Sequence, residues 1–217
     1  MNLSQDYEKY LKSKKINSSL VNHYQKMSRH NNSQGFDMPY NIFDKLLNER
    51  IIFLSGEIDL DISEMIKANL FYLESISDDD IKLYINSEGG CVYSGLGLLD
   101  VMDYIAPDII TINTGLAASM AAVILCAGTK GKRKALKRSR TMIHQPMSGF
   151  GYYAQASDME IEAKEINSLK KELYEIISEN TGQIYDKVYK DSDRDYWMSA
   201  SDAKKYGMID EIIIKRK

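Results

Sequence analysis

The chain has 217 residues, of which 44% are hydrophobic and 27% are charged, and its formal net charge is −3. A chain of this length can bury roughly 70% of its unfolded surface, so we expect one domain that needs no disulfide or metal for stability. The small net charge argues against a general affinity for nucleic acid or anionic membranes. The sequence contains no apolar run of about 18 residues and no apolar secretory signal near its start, so we predict a cytoplasmic protein.

Residues 1–40 differ in composition from the rest of the chain. They are rich in Ser, Asn, Lys and Gln and show little apolar periodicity, which is typical of a flexible or processed extension. We therefore predict an N-terminal extension over 1–40 and one globular domain over 41–217. Cys91 and Cys126 lie in apolar or Gly-rich segments without metal-ligand spacing, so we predict two reduced core thiols, no metal site and no cofactor.

Apolar patterns in the domain predict strands that alternate with helices. The predicted strands are 51–55, 81–86, 109–113, 133–136, 141–144 and 211–214, and the predicted helices are 62–76, 93–105, 116–128, 157–181 and 200–206. Ser157 and Glu160 have the spacing of a capping box at the start of the longest helix, and Gly182 is predicted to end that helix. Three strand–helix repeats favour a mostly parallel α/β sheet with right-handed crossovers.

Three candidate segments follow predicted strands, and ligands of open α/β sheets bind at the carboxyl ends of strands. The paired glycines Gly89 and Gly90 offer backbone N–H groups for an oxyanion or a phosphate. Ser119 lies among small residues in the first turn of a predicted helix, where free N–H groups surround it. His144 is the one histidine placed to act as a base. Each has an ordinary alternative, namely a tight turn, a helix cap or close packing, and a structural histidine.

Composition alone does not assign a role to two charged segments. Asp193 and Asp195 lie in an acidic stretch that is typical of a solvated loop, and nothing in its composition shows that either aspartate reaches His144. The segment Lys130–Arg140 has seven basic residues among its eleven. Because it lacks the aromatic residues on which bases stack, we predict a charged hairpin or a subunit contact rather than a nucleic-acid site.

Several segments, in their order along the chain, are similar to those of the Clp protease proteolytic subunits. The resemblance runs from Ile42 to Ile214 and includes LYINSEGGCVYSGLGLLDVM, GLAASMAA, SRTMIHQP and DRDYWMSASDAKKYGMID. It implies an α/β fold of the crotonase-like ββα superhelix type, with the helix from Ser157 as a protruding handle. It also implies an ATP-dependent serine endopeptidase that hydrolyses unfolded proteins to small peptides.

The resemblance also assigns roles to individual residues. It implies that Ser119 is the nucleophile, His144 the base and Asp195 the aspartate that orients the base. It thereby selects the second of the two loop aspartates. The oxyanion hole that it implies consists of the backbone N–H groups of Gly90 and Met120.

By the same resemblance we expect two stacked heptameric rings, homomeric or mixed with a paralogue, in a bacterial cytoplasm or a plastid. An AAA+ unfoldase would dock on a cleft at Tyr84, Tyr104 and Lys134, and no nucleic acid or membrane partner is expected. Three features depart from the family pattern. Lys134 replaces an aromatic residue, Glu88 replaces the usual proline of the oxyanion turn, and the loop 145–156 is about two residues longer and rich in aromatics.

Two other functions share parts of this pattern. One is a non-catalytic ring subunit that regulates an active paralogue, and the other is a crotonase-type acyl-CoA enzyme. Inactive subunits usually lack a residue of the serine–histidine–aspartate set, and the acyl-CoA enzymes do not use one. The presence of Ser119, His144 and Asp195 therefore favours the peptidase.

Overall fold

The computed structural model describes residues 42–147 and 155–215. The predicted extension over 1–40 and the aromatic part of the loop 145–156 lie outside the described residues. The helices are α1 Ile42–Asn48, α2 Leu60–Glu74, α3 Val92–Tyr104, α4 Met120–Cys126, α5 Ala156–Thr181, α6 Tyr185–Asp191 and α7 Ala200–Tyr206. The strands are β1 Ile51–Ile58, β2 Ile81–Gly90, β3 Ile109–Ala118, β4 Lys134–Leu136, β5 Arg140–Ile143, β6 Tyr196–Ser199 and β7 Glu211–Ile213.

The strands form one sheet in which β1, β2, β3, β4 and β7 lie side by side and run parallel. Strand β5 pairs with β3 in parallel, and β6 pairs with β5 in the antiparallel direction. The predicted α/β fold with a mostly parallel sheet is therefore confirmed. Helices alternate with the first strands because each parallel connection needs a crossover, which a helix supplies.

Strand β3 pairs with two different strands along one edge. Its residues Ile112 and Asn113 pair with β4, whereas Leu116–Ala118 pair with β5. The Asn113 side chain donates a hydrogen bond of 2.8 Å to the carbonyl of Arg140 at this fork. Because β4 and β5 both run parallel to β3, the segment between them cannot be a hairpin. The predicted charged hairpin is wrong.

Much of the basic run is paired with carboxylates of other elements. Lys132 contacts Asp80 and Asp108, and Lys134 contacts Glu211. Arg133 is only 4% exposed, and its guanidinium binds the Asp210 carboxylate through two nitrogens. These ion pairs hold the run against residues at the starts of β2, β3 and β7. Its predicted role as a subunit contact stays a prediction.

Several predicted boundaries are wrong for local reasons. Strands β2 and β3 continue to Gly90 and Ala118, because small residues allow the strands to stay close, and α4 is correspondingly shorter than predicted. Helix α5 begins at Ala156 with Gln155 at its N-cap, so Ser157 lies inside the helix and makes no capping box. Gly182 ends α5 in the left-handed conformation, as predicted. The elements α1, α6 and β6 were not predicted.

Helices α4 and α5 contrast in burial. Every residue of α4 is buried, and the helix packs against β2, β3, α3 and α5. In α5 the fully buried residues are Leu173, Tyr174 and Ile177, all in its second half. The first half leaves Met159 and Ile161 exposed, so it protrudes from the domain as expected for a handle.

Of the two cysteines predicted to lie in the core, Cys126 is buried, but Cys91 is exposed at the start of α3.

Candidate active site

Ser119 occupies the turn between β3 and α4. Its φ of 54° and ψ of −127° form a combination that residues other than glycine rarely adopt. Its backbone N–H donates a hydrogen bond of 2.9 Å to the carbonyl of Met142 in β5. Ala118 and Met120 on either side are buried, so the surrounding packing maintains the strained turn. Ser119 therefore precedes the helix and does not lie in its first turn as predicted.

His144 bridges the other two predicted site residues. Its Nε2 lies 2.9 Å from the Oγ of Ser119, and its Nδ1 lies 3.0 Å from the Oδ1 of Asp195. Both distances are those of hydrogen bonds. An ionised carboxylate only accepts, so Nδ1 carries the proton that Asp195 binds, and Nε2 accepts from the Ser119 hydroxyl. The structure thus joins Ser119, His144 and Asp195 in one line, and Asp193 has no part in it.

The register of three strands produces this line. On one side of β5, Met142 lies opposite Ala118, the last residue of β3 before Ser119. On the other side, Ile143 lies opposite Tyr196, the first residue of β6 after Asp195. His144 is the next residue after β5. The hydroxyl, the imidazole and the carboxylate therefore meet where these three strands end or begin.

The glycine turn at the end of β2 lies against Ser119. Gly89 has a φ of 99°, and a Cβ atom there would lie 2.7 Å from the Cβ of Ser119. Only glycine permits this conformation and this close approach. The buried Ser87 hydroxyl accepts the N–H of Gly89 at 3.1 Å and donates to the carbonyl of Gly56 at 2.5 Å. The turn forms with an exposed Glu88 in place of proline.

A small, partly open cavity lies beside the serine and the histidine. Its walls are mainly apolar and come from α3, α4, β5 and α5. They include Val92, Val123, Leu173 and Ile177. These walls place an apolar surface next to the Ser119 hydroxyl.

Known proteins resemble the chain over most of its length. The sequence model of the Clp protease family matches residues 33–216. An ATP-dependent Clp protease proteolytic subunit of Bacteroides fragilis is 56% identical over 176 residues, which are 81% of this chain and 84% of that protein. The chain belongs to the Clp protease family.

Other members are nearly as similar. The ATP-dependent Clp protease proteolytic subunit of Porphyromonas gingivalis is 54% identical over 81% of this chain and 79% of its own length. The ATP-dependent Clp protease proteolytic subunit 2 of a Synechococcus species is 50% identical over 82% of this chain and 89% of its own length. The predicted family, the crotonase-like fold and the enzyme class, a serine-type endopeptidase, are confirmed.

The residues predicted for the family's docking cleft lie on the sheet and on α3. Tyr84 of β2, Ile112 of β3 and Lys134 of β4 are consecutive partners across the parallel strands, so Tyr84 and Lys134 share one row. The Tyr84 ring also contacts Phe53 of β1 at 5.6 Å between centroids. Tyr104 lies at the end of α3, 78% exposed, with its ring against Phe71.

Two polar residues of this Clp family site were not predicted. Ser87 supports the glycine turn, and Gln145 binds the loop that precedes Asp195 through the carbonyl of Asp193, at 2.7 Å. Gln145 directly follows His144, which was a usable signal, whereas the role of Ser87 depends on contacts across the sheet.

Close to the glycine turn, hydrogen bonds from Ser94 lower the pKa of the exposed Cys91 thiol.

Two negative results concern residues 42–147 and 155–215 alone. In these ranges, no three histidine, cysteine or carboxylate side chains are grouped so that they could hold a metal ion. No helix in these ranges has both the length and the apolar character of a membrane span.

Proposed function

We propose that this chain is the proteolytic subunit of an ATP-dependent Clp protease, with Ser119 as nucleophile, His144 as general base and Asp195 as the group that orients His144. The observation that carries the proposal is the unbroken hydrogen-bonded line from the Ser119 hydroxyl through the imidazole to the carboxylate. A serine hydroxyl is a weak nucleophile until a base takes its proton. This line supplies both the base and the group that fixes its tautomer.

In the acylation step, the Oγ of Ser119 attacks the carbonyl carbon of a peptide bond while its proton passes to the Nε2 of His144. The imidazolium that forms is stabilised by the Asp195 carboxylate on Nδ1. When the tetrahedral intermediate collapses, the C–N bond breaks and the leaving amine takes the proton from Nε2. The product is an acyl ester on Ser119 and a released amine.

In the deacylation step, a water molecule takes the place of the amine. His144 removes a proton from this water, which attacks the ester carbonyl. Collapse of the second intermediate breaks the bond to Oγ, and the proton on Nε2 returns to Ser119. The product leaves as a carboxylic acid that loses its proton to solvent, which completes the hydrolysis and restores the starting state.

The proposed oxyanion hole consists of the N–H groups of Gly90 and Met120. Met120 is the first residue of α4, so its N–H has no partner within the helix. The N–H of Cys91 donates to the carbonyl of Ile58 in β1. Because successive N–H groups of an extended chain point to opposite edges, that of Gly90 points away from β1. A donor of this kind contributes about 3 kcal/mol of transition-state stabilisation.

The substrates in this proposal are unfolded polypeptides, and the apolar cavity beside Ser119 selects an apolar side chain next to the cleaved bond. Each extra methylene in such a pocket changes the ratio of kcat/KM between two substrates by about tenfold or more. Val123 and Leu173 lie in this cavity and would contact that side chain.

The proposal extends to the assembly. The protruding first half of α5 offers exposed Met159 and Ile161 for contact between two heptameric rings. The row that includes Tyr84 and Lys134, together with Tyr104, offers a site for an AAA+ unfoldase. Relatives carry both plain and "subunit 2" names, so rings of one chain and rings shared with a paralogue are both compatible with the proposal.

A fluorophosphonate probe tests the catalytic roles. We expect the purified protein to be labelled at Ser119, and Ser119→Ala to lose both labelling and peptide cleavage. Cleavage at the parent rate by Ser119→Ala would overturn the assignment. Ser94→Ala is a matched control, because this buried serine lies near the site on α3 but outside the hydrogen-bonded line.

Native mass spectrometry tests the assembly. A mass of fourteen copies for the purified chain would support the double ring. A smaller particle that gains activity only when a paralogue is added would instead indicate a mixed ring. An unlabelled, inactive protein that activates a paralogue would favour the non-catalytic subunit.

A further inference from the structure

The carboxylate of Asp195 is held in place by few contacts of its own. Its side chain is 58% exposed. Among the described residues, its carboxylate has one hydrogen-bond partner, the Nδ1 of His144. Neither burial nor a second donor fixes the carboxylate, so its position depends on the backbone that carries it.

The backbone on both sides of Asp195 is anchored. After it, Tyr196 pairs with Ile143 at the end of the antiparallel ladder. Before it, two consecutive carbonyls accept side-chain hydrogen bonds. The buried hydroxyl of Tyr174 donates to the carbonyl of Ser192 at 3.3 Å, and the side-chain Nε2 of Gln145 donates to the carbonyl of Asp193 at 2.7 Å.

Gln145 is the more direct of these two anchors. It is the residue after His144, so its hydrogen bond connects the segment that carries the base with the loop that carries the aspartate. This hydrogen bond extends the pairing of β5 and β6 by one side-chain contact. Loss of the hydrogen bond would alter the distance between the Nδ1 of His144 and the Asp195 carboxylate.

Helix α5 determines which way the amide of Gln145 points. The Nζ of Lys170 donates to the Oε1 of Gln145 at 3.2 Å. An amide has one accepting and one donating end, so this contact leaves Nε2 to face the Asp193 carbonyl. Lys170 is itself held over the ring of Tyr189, at 4.5 Å from its centroid.

We propose that Gln145 is a positioning residue for the His144–Asp195 pair and that Lys170 of α5 orients it. This inference rests on the catalytic roles proposed above. It makes the efficiency of the site depend on a helix that contributes no side chain to the hydrogen-bonded line from Ser119 to Asp195.

Gln145→Glu is the sharpest test. The carboxylate keeps the shape of the side chain and can still bind Lys170, but it cannot donate to the Asp193 carbonyl and repels it. We expect kcat on a fluorogenic peptide to fall by about tenfold to a hundredfold, with KM nearly unchanged. Because the new carboxylate adds a negative charge beside His144, the two kcat values are compared at the pH of maximal rate of each protein.

Gln183→Glu is the matched control. Its Nε2 also donates to a backbone carbonyl, that of Tyr206, at 2.9 Å, but outside the active site. We expect this variant to keep the parent kcat and the parent pH profile. The fluorophosphonate probe, used to titrate active sites, reports how many sites each sample contains.

Two Lys170 variants separate orientation from packing. Lys170→Arg retains a donor and a cation over the tyrosine rings, and we expect near-parent kcat. Lys170→Met retains the apolar stem but not the donor, so the amide can turn and kcat should fall, though less than in Gln145→Glu.

The inference is overturned if Gln145→Glu keeps the parent kcat at its pH of maximal rate. It is also overturned if its loss of rate is fully explained by fewer titrated sites, because that result indicates a role in folding or assembly alone. The proposed function has a separate test, since Ser119→Ala must be inactive whatever Gln145 does. Normal Gln145→Glu with inactive Ser119→Ala would reject the positioning role and leave the peptidase assignment intact.

Discussion

Ser119 and Asp195 flank the same histidine, but the molecule holds them by different means. Ser119 lies in a strained turn between buried residues, with Gly89 packed against it and its N–H bound to β5. Asp195 lies on an exposed loop, and hydrogen bonds to the preceding carbonyls and the β6 ladder set its position.

The difference separates two kinds of mutational effect. Changes near Ser119 disturb close packing, so they should reduce stability and activity together. Changes near Asp195 disturb a few hydrogen bonds at the surface, so they should reduce activity while the free energy of unfolding stays nearly constant. Three substitutions test this contrast, and a fourth, at the far edge of the sheet, measures a loss of stability without a loss of activity.

The largest loss of activity is expected for Asp195→Asn. The amide can donate to Nδ1 of His144 and favour the tautomer whose Nε2 cannot accept the Ser119 proton, so we expect kcat to fall by about ten-thousandfold. The free energy of unfolding should change by less than about 0.5 kcal/mol, because the side chain is exposed. Asp193→Asn serves as control and should cleave peptides at the parent rate. A large stability loss in Asp195→Asn would contradict the expectation that changes near Asp195 affect activity but not the free energy of unfolding.

Gly89→Ala tests the packed side. The new methyl group would approach Ser119 within 2.7 Å at a φ of 99°, so we expect kcat to fall by about a hundredfold or more. Urea unfolding should show a loss of about 3 kcal/mol.

Gly182→Ala is the control for the backbone effect. Gly182 also has a positive φ, 74°, but no described atom lies within 4 Å of the new Cβ. We expect a cost of about 1 kcal/mol and the parent kcat. Equal losses of activity in both glycine variants would show that packing against Ser119 is not the cause.

Ser87→Ala should have a smaller effect. It leaves the carbonyl of Gly56 and the N–H of Gly89 without their partner, so we expect a loss of about 1–3 kcal/mol in stability. A looser glycine turn should lower kcat by about tenfold. Ser139→Ala removes a similar buried hydroxyl outside the site, which donates to the carbonyl of Leu136. This variant should reduce stability but not kcat. Identical kinetics for the two variants would exclude a role of Ser87 in the site.

Asp210→Asn should leave kcat per titrated site unchanged. Asp210 binds the buried Arg133 at the far edge of the sheet, and this contact lowers the pKa of its carboxyl group. Its contribution is therefore complete above the ordinary pKa of an aspartate, about 3.9, and is lost as pH falls through the lower folded value. We expect a loss of about 2 kcal/mol at neutral pH.

Urea unfolding at several pH values checks this prediction. The difference between the parent and Asp210→Asn should shrink as the solution becomes more acidic than pH 4. Glu211→Gln, at the more exposed pair with Lys134, should change stability little. A pH-independent difference for Asp210→Asn would contradict the linkage.

Local patterns predicted the alternating elements because burial of apolar side chains imposes a period on each strand and helix. The short helix predicted near 200–206 lies at Ala200–Tyr206. Boundaries failed where small residues, such as those of Gly115–Ala118, suit a strand and a helix equally well. The hairpin over Lys130–Arg140 failed because the charge pattern of two short strands does not say which strand each one pairs with.

The sequence by itself determined the family, the α/β class and the placement of Ser119 and His144 at the ends of strands, because these depend on local periodicity and on motifs. Only the tertiary structure decided that Asp195, which lies 51 residues from His144 along the chain, meets the imidazole. That contact depends on β5 lying between β3 and β6, which no local pattern encodes. The support from Gln145 and Ser87 was decided in the same way, since side-chain hydrogen bonds to distant carbonyls form only after the strands are in register.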